Sequence, residues 1–453
     1  MNMNKRFAAA AALVLLAGTA DAKTVVMVSV DGMNPEYVTE AAARGINMPN
    51  LQRFMREGCY ASGVTGVLPT VSWPSATTLM TGVEPARHGV LNNPHFVAPD
   101  RNQAGSIYLF ASDVKADTLW DAAARSGRVT ANVDQLVSVG NPSVRYDIPR
   151  FEPFSAATDN HAAIAAAAHP VGLLADLEAK LGPYVGVDFD NPDYDRSRTR
   201  FAIEILHRYH PQFLTVHLSG VDVNAHAHAP YSPEAKRAAE NIDGLIGELK
   251  AAALRDDPDT VVVVVSDHGQ IAATRVLNAR LAFAEAGLID VAPLVAGQKA
   301  RVTGWQADFW GNAVMLKNPA DAAVKARVGD LLHRLAADPD NGIVRVLDEA
   351  EIRKLGGFPN ASFLLEMKDG TVLGSDLVGS RIRELPAPIG FHGELPSNHG
   401  MNAAFFIAGK GVKPGRNLGQ IDMRQIAPTV AKAIGVKLKD AVQPVLPVFV
   451  DDK

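Results

Sequence analysis

The sequence predicts an α/β protein, a three-layer αβα sandwich with a small α+β insertion. Three observations lead there. Apolar runs such as VVMVSV from Val25, FLTVHL from Phe213 and VVVVVS from Val261 are the length of strands and too short for helices. They lack the alternation of a half-solvated sheet, so each reads as a strand covered on both faces. Stretches of helical periodicity separate them, and β-α-β alternation of this kind builds a parallel sheet with helices on both sides.

The elements follow in order. After Lys23 a strand runs to Val30, and a helix around Met48 to Arg56 is opened by Pro49, whose fixed φ suits a first helical turn. Thr70 to Gly82 begins as a loop and continues as an apolar helix through SATTLMTG. Thr118 to Ser126 is a helix closed by Gly127, with a strand at Val129 to Asp134 behind it. An amphipathic helix from Ser197 to His210 feeds the FLTVHL strand. A long helix, Ser232 to Leu254, has apolar residues near every third or fourth position and ends in an Asp256-Asp257-Pro258-Asp259 turn before the valine strand.

From Gly304 to Ser380 the pattern changes to short strands, NAVML and FLLEMK, around a helix at Ala320 to Ala336. The expected division is therefore a leader at 1–22, a core at 23–303, a small insertion or cap at 304–385, and a return to the core at 386–453 with AAFFIAG as a strand. The alanine-rich stretch Ala156 to Ala168 reads as a surface helix or loop.

Composition narrows the function. With 453 residues and 47% hydrophobic side chains the chain can bury a large core. A net charge of −5 offers no basic field for a nucleic acid polymer. Asn4-Lys5-Arg6, an apolar stretch from Phe7 to Gly18 and the small-x-small Ala20-Asp21-Ala22 form a signal peptide, with cleavage expected after Ala22 and export to a periplasm or medium. That stretch falls short of the ~20 residues that span a bilayer, and no stable membrane insertion is expected. The lone Cys59 allows no intramolecular disulfide and reads as a packed apolar residue.

Acidic and histidine residues end the strands. Asp31 follows VVMVSV, Asp222 and His226 follow FLTVHLSGV, and Asp267-His268 follows VVVVVS. The carboxyl edge of a parallel sheet is where open α/β folds gather their chemistry, so these ligands, with Ser72 and His392, suggest a two-metal hydrolase site. Each has a plainer reading. Asp31 could cap the next helix, Asp222 and His226 could be a surface i, i+4 pair, and His268 could be held inside a turn. Ser72 sits in PTVSWPS at a loop-to-helix junction, where it is either a cap or a hydroxyl beside an anion site. Asn93 in VLNNP either shapes a turn before Pro94 or donates its amide to a phosphoryl oxygen.

The ordered set SVDGM, MPNL, PTVSWPSATTLMTGVEPARHGVLNN, DVNAH, VSDHG and GFHG resembles the type I phosphodiesterase/nucleotide pyrophosphatase family of the alkaline phosphatase superfamily, from Val25 to about Gly435. The resemblance implies an alkaline-phosphatase-like fold with two Zn2+ ions. Asp31, Asp267 and His268 match the ligands of one, and Asp222, His226 and His392 those of the other. His399, in SNHGM, is a rival for the last position, but the spacing from His392-Gly393 to Met401 favours His392. Ser72 matches the nucleophile and Asn93 the contact to the phosphoryl oxygen. The implied reaction is in-line attack by Ser72, assisted by one ion while the second steadies the leaving oxygen, with the ions ~4 Å apart. Water then hydrolyses the phosphoserine.

Two departures from the family pattern bear on substrate. Pro74-Ser75-Ala76 replaces PNH after the nucleophile, and Glu394 stands where an aromatic follows the final HG. No basic pair lies in sequence near Ser72 or Asn93, which favours small phosphodiesters, nucleotides or pyrophosphates over monoesters, although Lys115 or Arg145 could fold back. Asp134, Tyr146 and His228 are either substrate neighbours or packing residues.

Overall fold

The computed structural model describes residues 23–151, 159–293 and 299–450. The proposed leader, and residues 156–158 of the alanine-rich stretch, lie outside the described residues; the rest of that stretch contains the helix Asn160–Ala167.

The core is an eight-stranded sheet in the spatial order Arg416–Asn417, Cys59–Tyr60, Phe405–Gly409, Val261–Ser266, Val25–Val30, Phe213–Leu218, Thr130–Val133 and Tyr146–Ile148. Its five strands from Val261–Ser266 to Tyr146–Ile148 are all parallel, and Phe405–Gly409 pairs antiparallel with Val261–Ser266. The register places Val30 opposite both Leu218 and Ser266, so the three central strands end level with one another.

Side-chain alternation divides these strands between two apolar layers. Val26, Val28 and Val30 pack with Leu214, Val216 and Val262 against the helices Pro49–Glu57, Tyr194–Tyr209 and Pro233–Asp256. Val25, Met27, Val263 and Val265 pack on the other face against Ser72–Thr81, Leu119–Arg125 and Ile426–Ile434. This is the three-layer sandwich expected from the unalternated strand runs. The valine run at Val261–Ser266 is fully buried because it feeds both layers.

Beyond the valine strand the chain leaves the main sheet. Ile271–Leu277 pairs with Thr371–Leu373 and Ile382–Phe391 in a three-stranded sheet. A four-stranded antiparallel sheet follows in the order Ala307–Trp310, Ala313–Leu316, Phe363–Met367 and Ile343–Asp348, with the helix Ala322–Ala337 packed on it. Together with Leu277 and Phe283, Val314, Leu332 and Leu365 form a hydrophobic cluster of their own. Ile271–Leu277 and Ile382–Phe391 join this region to the site, for one begins just after Asp267-His268 and the other ends at His392. Among the described residues no helix is long and apolar enough to cross a membrane.

Candidate active site

Three parallel strands deliver the carboxyl-edge residues. Asp31 follows Val30 directly, and its N–H continues the ladder to the Leu218 carbonyl at 2.8 Å. The helix that comes next has Pro35 at its cap and no side-chain cap bond, so Asp31 is not a cap. Gly32 then turns with φ +67°, and a Cβ there would lie 2.9 Å from Asp222 Oδ1 and 2.7 Å from Gln270 Nε2. Glycine is needed at this point for both the left-handed backbone and the close approach of the carboxylate.

Asp267 and His268 lie just past the end of the valine strand, where strict alternation no longer applies. Asp267 Oδ1 accepts the N–H groups of Gly32 at 3.1 Å and His268 at 3.0 Å. His268 Nδ1 donates to the Gly269 carbonyl at 3.1 Å, which leaves the Nε2 lone pair facing Asp31 Oδ1 at 3.4 Å and Asp267 Oδ2 at 3.6 Å. Asp31 Oδ1 and Asp267 Oδ2 are buried without a hydrogen-bond donor. Two such oxygens beside an imidazole lone pair are costly in a protein interior unless a cation lies among them.

The second group forms on the helix Gly220–His228, which carries Asp222 in its first turn and His226 one turn later on the same face. His226 Nδ1 donates to the Gly390 carbonyl at 2.9 Å and His392 Nδ1 to the Thr70 carbonyl at 3.1 Å. Their Nε2 atoms meet at 3.1 Å, with Asp222 Oδ1 at 3.4 Å from His226 and 3.8 Å from His392. Asp222, His226 and His392 form one set able to hold a metal ion, and Asp31, Asp267 and His268 form another. The sets adjoin, because the His268 and His392 rings stack with centroids 3.7 Å apart.

The electrostatics match a site built for cations. Burial opposes ionisation of Asp31, but a hydrogen bond and charge interaction with His217, joined by His268 and His392, hold its carboxyl well below the usual range. Burial and then the charge of Asp31 push Asp267 far up. Burial works against a charged His226, yet Asp222 raises it to about 9. Burial, followed by repulsion from His268 and His226, drives His392 well down. The His226 and His392 Nε2 atoms, 3.1 Å apart with Asp222 Oδ1 beside them, mark a place for a cation between the two rings.

Ser72 is the first residue of the helix Ser72–Thr81 and caps nothing; the cap position is Val71. Its Oγ is buried and lies 3.3 Å from His268 Nε2. Asn93 Oδ1 accepts the Trp73 N–H at 3.0 Å, which fixes the amide orientation and leaves the NH2 without a partner among the described residues. Ser72 and Asn93 are thus held together at one helix start.

The other candidates fall elsewhere. His399 has a side chain 79% exposed and pairs with Glu36 at 3.3 Å, away from both groups. Asp134 is fully buried against Arg198 and Arg150, Tyr146 stacks on Tyr209, and His228 is exposed. Lys115 and Arg145 are exposed, and among the described residues no Lys or Arg hydrogen-bonds to Ser72, Asn93 or the six clustered side chains. Glu394 is buried, its carboxylate accepting from Met367 N at 3.3 Å and Asn312 Nδ2 at 3.4 Å, and burial lifts it to about 7. It therefore ties the His392 loop to the four-stranded region.

Sequence reasoning does not reach two supports. His217 Nε2 lies 3.2 Å from Asp31 Oδ2, and Gln270 Nε2 donates to Asp222 Oδ1. His217 lies inside a strand and reads as core, although a histidine in so apolar a run is itself a signal.

The family model described as type I phosphodiesterase / nucleotide pyrophosphatase matches residues 25–360. The chain belongs to this family. Its members include rat ectonucleotide pyrophosphatase/phosphodiesterase family member 1, 26% identical over 53% of this chain and 23% of the rat protein. An uncharacterized pyrophosphatase/phosphodiesterase of Schizosaccharomyces pombe is 24% identical over 54% of this chain and 44% of its own length. This family member thus spans less than half the length of those relatives. Its fold is that of human ectonucleotide pyrophosphatase / phosphodiesterase 5, with a TM-score of 0.63 at 16% identity over 93% of this chain and 96% of the human chain. An inactive form of the murine protein in complex with AMP gives 0.62 at the same identity and the same two coverages.

Proposed function

We propose that this protein is an exported two-zinc phosphodiesterase/nucleotide pyrophosphatase that cleaves small phosphodiesters or pyrophosphates through a phosphoserine on Ser72. The observation that carries the reading is the pairing of two three-ligand sets with a buried serine hydroxyl 3.3 Å from His268. Each set mixes carboxylate and imidazole and offers three protein ligands, the donor set of a zinc site with an open position. When bound, zinc would lower the pKa of a hydroxyl and offset charge that develops on phosphoryl oxygens.

The chain's own residues do the rest. Ser72 Oγ, presented rigidly by its helix, forms a bond to phosphorus as the bond to the leaving oxygen breaks. The Asn93 NH2, its orientation fixed by the Trp73 N–H, donates to a non-bridging oxygen as charge builds there. His268 keeps its Nδ1 proton on the Gly269 carbonyl, which turns its Nε2 lone pair to the first ligand set, where it would hold a metal ion. The Ser72 hydroxyl proton then passes to solvent water as Oγ bonds to phosphorus, and the leaving oxygen takes a proton from water. Water then breaks the Ser72–phosphorus bond. Among the described residues no Lys or Arg hydrogen-bonds to Ser72 or Asn93, so the site suits a phosphoryl group with one free negative charge, a diester or pyrophosphate link, over a monoester dianion. The leader at 1–22 supports export to a periplasm, and the segment 304–385 is proposed as a cap on the site.

Purified protein with zinc should hydrolyse a generic aryl phosphodiester, and Asp267→Ala should remove the activity together with the zinc ion held by Asp31, Asp267 and His268. Undiminished hydrolysis by that variant would exclude the site assignment.

A further inference from the structure

The chain between the helix Ser72–Thr81 and Asn93 contains a histidine that the reaction described above does not use. His88 closes the short helix Pro85–His88 and is fully buried. Its main chain is held on both sides, the N–H by the Glu84 carbonyl at 3.1 Å and the carbonyl by the Lys115 N–H at 2.9 Å.

The ring reaches in two directions. Nδ1 accepts the Val90 N–H at 3.2 Å, so the proton of the neutral imidazole lies on Nε2. Nε2 lies 3.1 Å from Thr78 Oγ1, and the Thr78 hydroxyl already donates to the Val83 carbonyl at 2.9 Å, so the hydroxyl oxygen accepts from the ring. The Pro74 carbonyl, one helical turn before Thr78, is a further partner of the ring. Burial pushes the imidazole down to about 3 against the pull of that carbonyl, and the ring is neutral. With both nitrogens committed and no exposed surface, His88 has nothing to offer a substrate.

What it makes is a closed bracket. Pro74 and Thr78 belong to the helix that begins at Ser72, and Val90 belongs to the chain that leads to Asn93. At the far end of that chain Asn92 Oδ1 accepts the Asn93 N–H at 2.8 Å, and Asn93 Oδ1 accepts the Trp73 N–H. The loop is therefore tied to the nucleophile helix twice, once through the His88 ring and once through the Asn93 amide.

We propose that His88 is a positioning residue that fixes the distance between the Ser72 hydroxyl and the Asn93 amide, by tying the loop before Asn93 to the helix that starts at Ser72. The inference rests on the hydrolase reading above and deepens it. A misplacement of about 1 Å between such groups is enough to cost about a hundredfold in rate.

The test breaks one arm of the bracket at a time in the full chain. Glutamine places an amide donor near the Nε2 position and loses the Nδ1 acceptor, whereas asparagine keeps an acceptor near Nδ1 and loses the donor to the helix. In zinc, His88→Gln and His88→Asn should each lower kcat on bis-(p-nitrophenyl) phosphate about 10–100-fold, leave KM within about twofold and keep the wild-type zinc content. A double-mutant cycle decides between positioning and packing. Asn93→Ala should cost about 10²–10³-fold in the wild type but no more than about tenfold in either His88 variant, where the amide is already misplaced. The same cost of Asn93→Ala in both backgrounds, or wild-type kcat in both His88 variants, would make His88 a packing residue only. Thr78→Val, which removes only the hydroxyl acceptor, runs the same cycle should the His88 variants not fold. Nitrogen-15 NMR of histidine-labelled wild type judges the bracket without turnover, and the His88 ring should be neutral with its proton on Nε2. A proton on Nδ1 would overturn the assignment even in an active enzyme. Failure of the wild type to hydrolyse the diester would instead count against the hydrolase reading, with the NMR result still judging the bracket.

Discussion

The Nε2 atoms of His226 and His392 face each other at 3.1 Å while each ring's Nδ1 donates to a backbone carbonyl, Gly390 in one case and Thr70 in the other. Two imidazoles so committed can share one proton or one metal ion between them, and Asp222 beside them favours the cation. His392→Ala should therefore lower zinc content from two ions per chain to one and cut the diesterase rate at least about a hundredfold, since outer and inner metal contacts both weigh heavily on such sites. Elemental analysis of the purified variant checks the first figure. Retention of both ions would contradict the ligand set.

His217 supports Asp31 from inside the sheet. Its Nε2 lies 3.2 Å from Asp31 Oδ2, and partners of metal-ligating carboxylates govern affinity as well as orientation. His217→Ala should weaken zinc binding about 10–100-fold, measured by competition with a chromophoric chelator. The diesterase rate should recover at saturating zinc. An unchanged affinity would make His217 a packing residue only.

Much of the site was legible because parallel strands announce their ends. Asp31 and Asp267-His268 each follow a largely apolar run that ends at the sheet edge, and Asp222 lies in the helix that begins just past the end of a third. Ser72 and Asn93 were legible as a pair only through their motif, for nothing in the sequence alone shows that Asn93 Oδ1 accepts the Trp73 N–H. His217 and Gln270 were not legible, because one lies within a strand and the other reaches Asp222 across 48 residues. The helix carrying Ser72 begins there rather than at Ser75, since Pro74 is compatible with a first turn and the periodicity there is featureless. The antiparallel region is hardest to read, since a strand such as Ile382–Phe391 is mostly half-buried or exposed and contains two prolines.

The helix bearing Asp222 and His226 is anchored by a buried ionic network. Arg198, fully buried, lies 3.0 Å from Asp195 and 3.1 Å from Asp134, and Asp195 accepts the N–H groups of Ser219 at 2.9 Å and Gly220 at 2.8 Å. Arg198→Met strands these carboxylates in the interior and should cost about 3–5 kcal/mol. Chemical denaturation of the variant should show the lowered midpoint. An unaltered midpoint would mean the network is better hydrated than its burial indicates.

Asn93→Ala removes a donor aimed at developing charge without touching a metal ligand. Its kcat on a diester should fall about 10²–10³-fold while zinc content stays at the wild-type level. Loss of zinc in this variant would instead show that the residue acts by holding the start of the Ser72 helix.

The most direct measurement compares bis-(p-nitrophenyl) phosphate with p-nitrophenyl phosphate, in zinc, for the wild type and Ser72→Ala. The account predicts a strong preference for the diester in the wild type and its abolition in the variant with both zinc ions retained. A preference for the monoester, or a Ser72→Ala protein that still turns over the diester, would contradict it.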